Sequence, residues 1–407
     1  MPTVTIEAPA GGSTSRRSVV TTLRGTQPAS ITELAAATGL PRSTVAQTVA
    51  LLLRDGLVLE HPARAAGRGR PSRTFSLFEK PRPIAVLVSA AHGTVAGVIT
   101  TSGTILSEVG GPPLDGDAEA RVGRPALDLL DTALAAAGVA AADLSLAVVG
   151  LPGPSLFPRT ARSSDEADAP AQPHHLRRFQ IWDGQPAGSV VAEHLGCRTY
   201  SENDANLAAA GEAASGAGAG YGTVLYVSLA FGTSAGLVVN GRLHRGRTQL
   251  AGEIGHLHAV DNGQLCQCGG RGCFWLSTSI PALLEELEAA HHQQFTVAEI
   301  GAAARRDQHG VVRALIGFGH ALGRRLADAV VVLDPDAIVI DGALGDAALP
   351  IVDGVRQAIH QYAPPAMARG LPIIPGVLGV SAPLVGASVL ARTEGLLEFV
   401  PGIPARA

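Results

Sequence analysis

Three apolar runs most constrain what this chain can fold into: LSLAVVGLPGP at 144–154, GTVLYVSLAFGTSAGLVVNG at 222–241 and LADAVVVLDPDAIVIDGAL at 326–344. They alternate with stretches of helical character, which predicts an α/β body with largely buried sheets. A chain of 407 residues, 46% hydrophobic and 16% charged, is long enough for two or three cores. The most apolar stretch, Ile84 to Ile99, is broken by His92, Gly93 and Thr94 and is too short to span a bilayer. The first residues, MPTVTIEAPAGGSTS, lack the apolar segment of a secretion signal and read as a disordered lead-in over 1–15. Residues 155–180, rich in Pro, Arg, Asp and Ser, read as a long loop. A soluble, cytoplasmic protein with no membrane partner is the expectation.

Charge divides the chain unevenly. Residues 1–82 carry 11 Lys or Arg and 5 Asp or Glu, a net of +6, which leaves −10 for the rest of a chain whose total is −4. A basic head on an acidic body suits a polyanionic partner for the head.

Within the head, SITELAAATGL at 30–40 carries its own start and stop signals. Ser30 and Glu33 have capping-box spacing, and Gly39 permits the left-handed turn that ends a helix. A second helix is predicted from Pro41, with Val45, Val49 and Leu52 as its buried stripe and Arg42, Ser43, Thr44, Gln47 and Thr48 turned elsewhere. Two short helices joined this tightly, with the small Ala35 at their approach, predict a helix-turn-helix, against the plainer alternative of a helical hairpin. Its second helix would present those five polar residues to the major groove. The segment LVLEHPARAAGRGRPSRTFSLF then reads as two strands around a basic loop, a wing. Arg68 and Arg70 in that loop suit a narrow A·T minor groove, where the negative potential attracts guanidinium groups; the alternative is a solvated linker.

Three groups in the body could carry chemistry. Asn203 and Asp204 fall between a predicted strand and helix, where a carboxylate can bind a polyol or take a proton, or where the pair is an ordinary cap. AGEIGHLHAV carries Glu253 and His256, and CQCGGRGCFW carries Cys266, Cys268 and Cys273. Cys-x-Cys-x4-Cys with a nearby His supplies the four N/S donors of a tetrahedral structural zinc site, with a free-thiol loop as the alternative. Cys197 stands apart and reads as a small core filler.

The order ENDAN, FGTSAGLVVNG, GEIGH, CQCGGRGC resembles the ROK family of repressors, unknown frames and sugar kinases, and residues 17–80 resemble the winged helix of its xylose- and N-acetylglucosamine-repressor-like branch. The resemblance implies an actin-like ATPase fold of two α/β lobes around a cleft, in a homodimer or homotetramer. It implies zinc on His256, Cys266, Cys268 and Cys273, and sugar contacts from Asn203, Asp204, Glu253 and His256, with Asp204 where the kinases keep their catalytic base. The domains expected are a winged helix-turn-helix over 16–80, one lobe over 81–200 with a C-terminal helix near 382–398, and a second lobe with the zinc over 201–381.

The departures from that pattern matter as much. No carboxylate lies between Lys80 and Glu108, where the kinases hold magnesium, and Gly232-Thr233-Ser234-Ala235-Gly236 replaces a glycine-richer phosphate turn. Cys273-Phe274-Trp275 puts an indole where a sugar-binding carboxylate is expected, either to stack on a sugar or to fill the pocket. The loop before Trp182 lacks an expected Asn. The expectation is a non-enzymatic repressor that binds operator DNA, as an inverted repeat, under control of a sugar-like effector. The alternatives are a sugar kinase with a regulatory extension and a ligand-independent DNA binder.

Overall fold

The computed structural model describes residues 12–25, 28–54, 58–64, 72–77, 82–90, 93–111, 123–153, 160–161, 180–182, 184–229, 232–394 and 396. The basic loop with Arg68 and Arg70, and most of 155–180, lie outside the described residues. The chain divides into two compact units, Met1–Arg82 with Ala391–Ala407, and Pro83–Leu390.

The head comprises α1 (Gly12–Gly25), β1 (Ala29–Ser30), α2 (Ile31–Thr38), α3 (Arg42–Arg54), β2 (Val58–Arg64) and β3 (Ser72–Leu77). Its three strands pair antiparallel in the order β1-β3-β2. The capping box is present: Ser30 Oγ accepts from Glu33 N at 3.3 Å, and Ser30 N donates to Glu33 Oε2 at 2.7 Å. Those bonds stabilise the ionised carboxylate and lower the Glu33 pKa. Gly39 is left-handed at φ +70° and its N–H closes the helix on Ala35 O. Leu34, Val45, Val49, Leu52, Val58, Phe75 and Leu77 form the core. α1 completes it with Val19, Val20 and Leu23. The expected lead-in over 1–15 is therefore too long: the chain is helical from Gly12, because those three residues give it an apolar face to bury.

In the second unit, β4 (Pro83–Ala90), β5 (Gly93–Thr100) and β6 (Ile105–Gly111) form an antiparallel meander, followed by α4 (Gly123–Ala137), β7 (Leu146–Leu151) and the short β8 (Thr160–Ala161). A two-strand ribbon of β9 (Ile181–Trp182) and β10 (Gln185–Pro186) leads into α5 (Ala187–Leu195), β11 (Thr199–Asn203) and α6 (Asp204–Ser215). The first sheet runs β6-β5-β4-β7-β11-β8, with β7 parallel to both β4 and β11. The second half repeats the plan. β12 (Thr223–Ser228), β13 (Ser234–Val239) and β14 (Arg242–His244) form a meander, followed by α7 (Ile280–His291), α8 (Val297–Arg305), α9 (His309–Leu333), β15 (Ala337–Ile340), α10 (Ala348–Tyr362), β16 (Ile373–Pro375) and α11 (Ala382–Thr393). This sheet runs β14-β13-β12-β15-β16, with β15 parallel to both neighbours. Two sheets, each a meander continued by two parallel strands, with the short antiparallel β8 added at the edge of the first, are the expected pair of lobes.

The expected boundary at residue 200 shifts, because β11 pairs with β7 as far as Asn203↔Leu151, so 201–203 belong to the first sheet. The last helix ends at Thr393 rather than near 398, shortly before Gly395, a residue type that weakens helices. The first core packs the first sheet against α4 and α5 and encloses Trp182 completely. The second packs α7 to α10 against the other sheet. Ala208 and Ala209 of α6 and Ala382 of α11 join Val224, Tyr226 and Val238 in a third cluster. Gly211 and Gly386 let α6 and α11 cross closely; a Cβ on either would overlap the other helix's backbone. No helix of the described residues is long and apolar enough to cross a membrane.

Candidate metal centre and ligand cleft

The buried strand β11 ends at Asn203, and the chain turns at once into α6. Asn203 Oδ1 accepts from Asn206 N at 3.0 Å and its Nδ2 donates to Gly153 O at 2.9 Å, so its amide caps the helix and ties it to the end of β7. Asp204 follows in the first turn, its Oδ1 accepting from Ala205 N. Burial, with the nearby carboxylates of Asp341 and Glu253 adding repulsion, pushes the Asp204 pKa up to about 7.

Asp204 lines a cavity of about 240 Å³. Glu108 and Asp341 add two more carboxylates, Thr94, Tyr226 and Ser228 line it as well, and among the described residues no Lys or Arg lines it. Asp341 is held by Tyr226 Oη at 3.1 Å, Ser228 Oγ at 3.4 Å and Leu229 N at 3.2 Å. Sequence reasoning missed this residue. Its signal was an acid directly after the buried strand Ala337–Ile340, since ligands of open α/β sheets gather at the carboxyl ends of strands.

Glu253 enters from the second lobe, on a turn that Gly252 O fixes by accepting from Ala235 N at 2.7 Å. Burial raises its pKa to about 6. His256 stands between two groups: its Nε2 is 3.8 Å from Glu253 Oε2 and its Nδ1 is 3.7 Å from Cys266 Sγ. The donor atoms of His256, Cys266, Cys268 and Cys273 all lie within 4.8 Å of one another, and these four could hold one metal ion. Cys268 Sγ and Cys273 Sγ are 3.6 Å apart and all the cysteines are free thiols. Backbone N–H groups point at the sulfurs, from Cys268 to Cys266 Sγ at 3.5 Å and from Gly270 to Cys268 Sγ at 3.4 Å. Trp275 donates its Nε1–H to Cys266 Sγ at 3.2 Å. Thr233 donates its hydroxyl to Thr278 O, and Gly236 lies inside β13 against Ala205 and Ala209 of α6. Cys197 is half-buried beside the first core, and burial raises its pKa to about 11.

In the head, Arg42, Ser43 and Gln47 are exposed on α3 and Thr44 is half-buried. Thr48 corrects the sequence reading: it is 7% exposed and belongs to the buried side. Starting from Val45, the helical repeat i, i+3, i+4, i+7 selects Val45, Thr48, Val49 and Leu52, so geometry overrides the polarity of one hydroxyl. Arg68 and Arg70 lie outside the described residues.

A winged head and a two-lobed body with duplicated sheets define a regulator built on a kinase-like scaffold. Residues 12–61 match a helix-turn-helix domain and residues 127–394 match the ROK family. The chain belongs to the ROK family. It is 25% identical to the xylose repressor of Bacillus spizizenii over 92% of this chain and 93% of that one. It is 30% identical to a glucokinase of Streptomyces coelicolor, over 52% of this chain and 72% of that one. A solved ROK family transcriptional regulator, described as a homologue of the E. coli MLC protein, superposes with a TM-score of 0.68 over 95% of this chain and 97% of its own, at 19% identity.

Proposed function

We propose that the protein is a transcriptional repressor that binds operator DNA through its winged head and responds to a sugar or sugar derivative bound in its body. The observation that carries this reading is the pairing of a helix-turn-helix followed by two antiparallel strands, the start of its second helix exposed, with a ROK body. Likeness to a xylose repressor along nearly the whole chain supports it. The effector would meet Asp204, Glu253 and His256, with Asn203 positioning Asp204. The head would act in a homodimer or homotetramer on an inverted repeat, in the cytoplasm.

The same body is without phosphoryl transfer in this reading. A cavity lined by three carboxylates, with no Lys or Arg among its described lining residues, lacks the basic groups that would stabilise the charge of a polyphosphate. Zinc is the ion we assign to His256, Cys266, Cys268 and Cys273. Two sulfurs about 2.3 Å from one tetrahedral centre lie about 3.8 Å apart, close to the 3.6 Å between Cys268 and Cys273. N–H donors aimed at the sulfurs suit thiolates. Bound there, zinc would close the loop as a structural ion, with no open position for chemistry.

The test is a footprint of the purified protein on genomic DNA, followed by titration of a bound site with D-xylose, D-glucose and N-acetylglucosamine. One of these should release the DNA. Asp204→Ala and Glu253→Ala should keep DNA binding and lose that release. A second reading, a sugar kinase with a regulatory extension, draws on the glucokinase likeness. Sugar-dependent ATP turnover abolished by Asp204→Asn would establish it in place of the first.

A further inference from the structure

Trp275 is the shared contact of three segments. Its indole Nε1–H donates to Cys266 Sγ at 3.2 Å, shorter than the 3.5 Å from Cys268 N to the same sulfur. Its ring lies over Gly232, where a Cβ would come 3.7 Å from indole Cε3. Its own Cβ covers Gly255, where a Cβ would stand 3.1 Å away and would also overlap Thr233 O. Gly255 is next to His256 and two residues from Glu253, so one side chain joins the sulfur loop, the turn that carries the ligand-facing acid, and the 232–236 segment.

We propose that Trp275 is a positioning residue for the metal: its N–H stabilises the metal-bound Cys266 thiolate, and its ring carries metal occupancy to Gly232 and Gly255. The idea rests on the zinc reading above. A thiolate accepts a hydrogen bond more strongly than a thiol, so deprotonation by a metal tightens the Trp275–Cys266 contact. Donors to a ligating atom orient it and tune the ion's affinity. The indole has a single polar atom, and here it faces sulfur.

The experiment uses the full chain and zinc alone. Trp275→Phe keeps a ring against Gly232 and Gly255 and removes the donor. Competition with a chromophoric chelator should show zinc held about 10- to 100-fold more weakly than in wild type. In the cobalt-substituted variant the thiolate-to-cobalt charge-transfer band should move to lower energy, a change that packing alone does not produce. In wild type, zinc loading should shift one of the two indole N–H resonances, with the fully buried Trp182 as the unmoved reference. Should Trp275→Phe fail to fold, the wild-type indole spectrum decides: a shifted resonance supports the proposal, and two static ones overturn it. Wild-type zinc affinity and an unmoved cobalt band in the variant overturn it while leaving the zinc site intact. A wild-type chain that takes up no zinc removes the site and the proposal together.

Discussion

Arg245, half-buried, donates from Nε to the fully buried Glu202 Oε2 at 2.8 Å, joining the second lobe to the first. The Glu202 side chain is 0% exposed, and it also accepts from Asn203 N, Asn206 Nδ2 and Tyr200 Oη. Arg245 itself reaches Tyr200 Oη from a second nitrogen at 3.0 Å. The strand that ends in Asn203 and the segment leading to Glu253 are thus registered by one ion pair.

Removing one partner of such a pair strands a buried charge. Arg245→Met should therefore destabilise the body by about 3 kcal/mol. Glu202→Gln added to Arg245→Met should recover more than about 1 kcal/mol of that, because the remaining donors then face a neutral acceptor. Urea unfolding of the single and double variants reads the difference. Strict additivity would mean that the pair is not what registers the lobes.

Neither this pair nor the bonds that hold Asp341 were legible in the sequence, and the reason is distance along the chain. Glu202 and Arg245 are 43 residues apart, and Tyr226 reaches Asp341 across 115. No local period links such positions. Local signals did carry: the Ser30–Glu33 box, the turn at Gly39 and the stripe of Val45, Val49 and Leu52 each act within a few residues. The cluster of His256 and three cysteines was legible for the same reason, since three of its members fall within eight positions. Asn203 was legible as a polar residue at a strand–helix junction, while its engagement with Gly153 O needed the fold. α1 was hidden by the polar, glycine-containing composition ahead of Val19, and its burial depends on partners contributed later in the chain.

Asp204 should give the body a distinct pH dependence. Its folded pKa is about 7 against an ordinary 3.8, raised by burial and by Asp341 and Glu253. Between those values the unfolded chain has released a proton that the folded chain keeps. Its contribution to stability therefore falls as pH rises through that window and levels off above about 7. Asp204→Asn has no proton to lose and can still accept from Ala205 N. Its advantage over wild type should grow from pH 5 to pH 8, to the order of a few kcal/mol. Thermal melts at both pH values check it, and a difference that does not change with pH would count against the raised pKa.

The proposed zinc site predicts about one zinc per chain by elemental analysis, because four donor atoms that could hold one ion lie within 4.8 Å of one another. Cys268→Ser should lose most of that zinc and melt at a lower temperature. It should also weaken any sugar response, since His256 faces both Cys266 and Glu253. A chelated wild type with full zinc-free stability and an unchanged response would reduce the cluster to three thiols beside a histidine.

On α3 the polar residues divide into exposed ones and one that is buried. Arg42, Ser43 and Gln47 are exposed on α3, whereas Thr48 faces the core; in the proposed reading Arg42 and Gln47 would meet base edges. Arg42→Ala or Gln47→Ala should each cost about 1–3 kcal/mol of operator affinity and relax preference at particular base pairs. Thr48→Val, which keeps the buried shape, should leave base preference as it is. If the wing enters the minor groove, Arg68→Ala and Arg70→Ala should weaken binding most on operators with A·T-rich flanks. Each should also lower the salt dependence by about 0.9 in the slope of log K against log salt, if its guanidinium displaces one counterion. Two winged heads on one symmetric assembly would further require half-sites separated by whole helical turns, about 10 base pairs or a multiple. The measurement is a binding titration of each variant on operators with A·T or G·C flanks at two salt concentrations. Wing variants that bind both operators as wild type does would leave α3 as the sole reader; a Thr48→Val variant with altered base preference would put that residue back at the DNA.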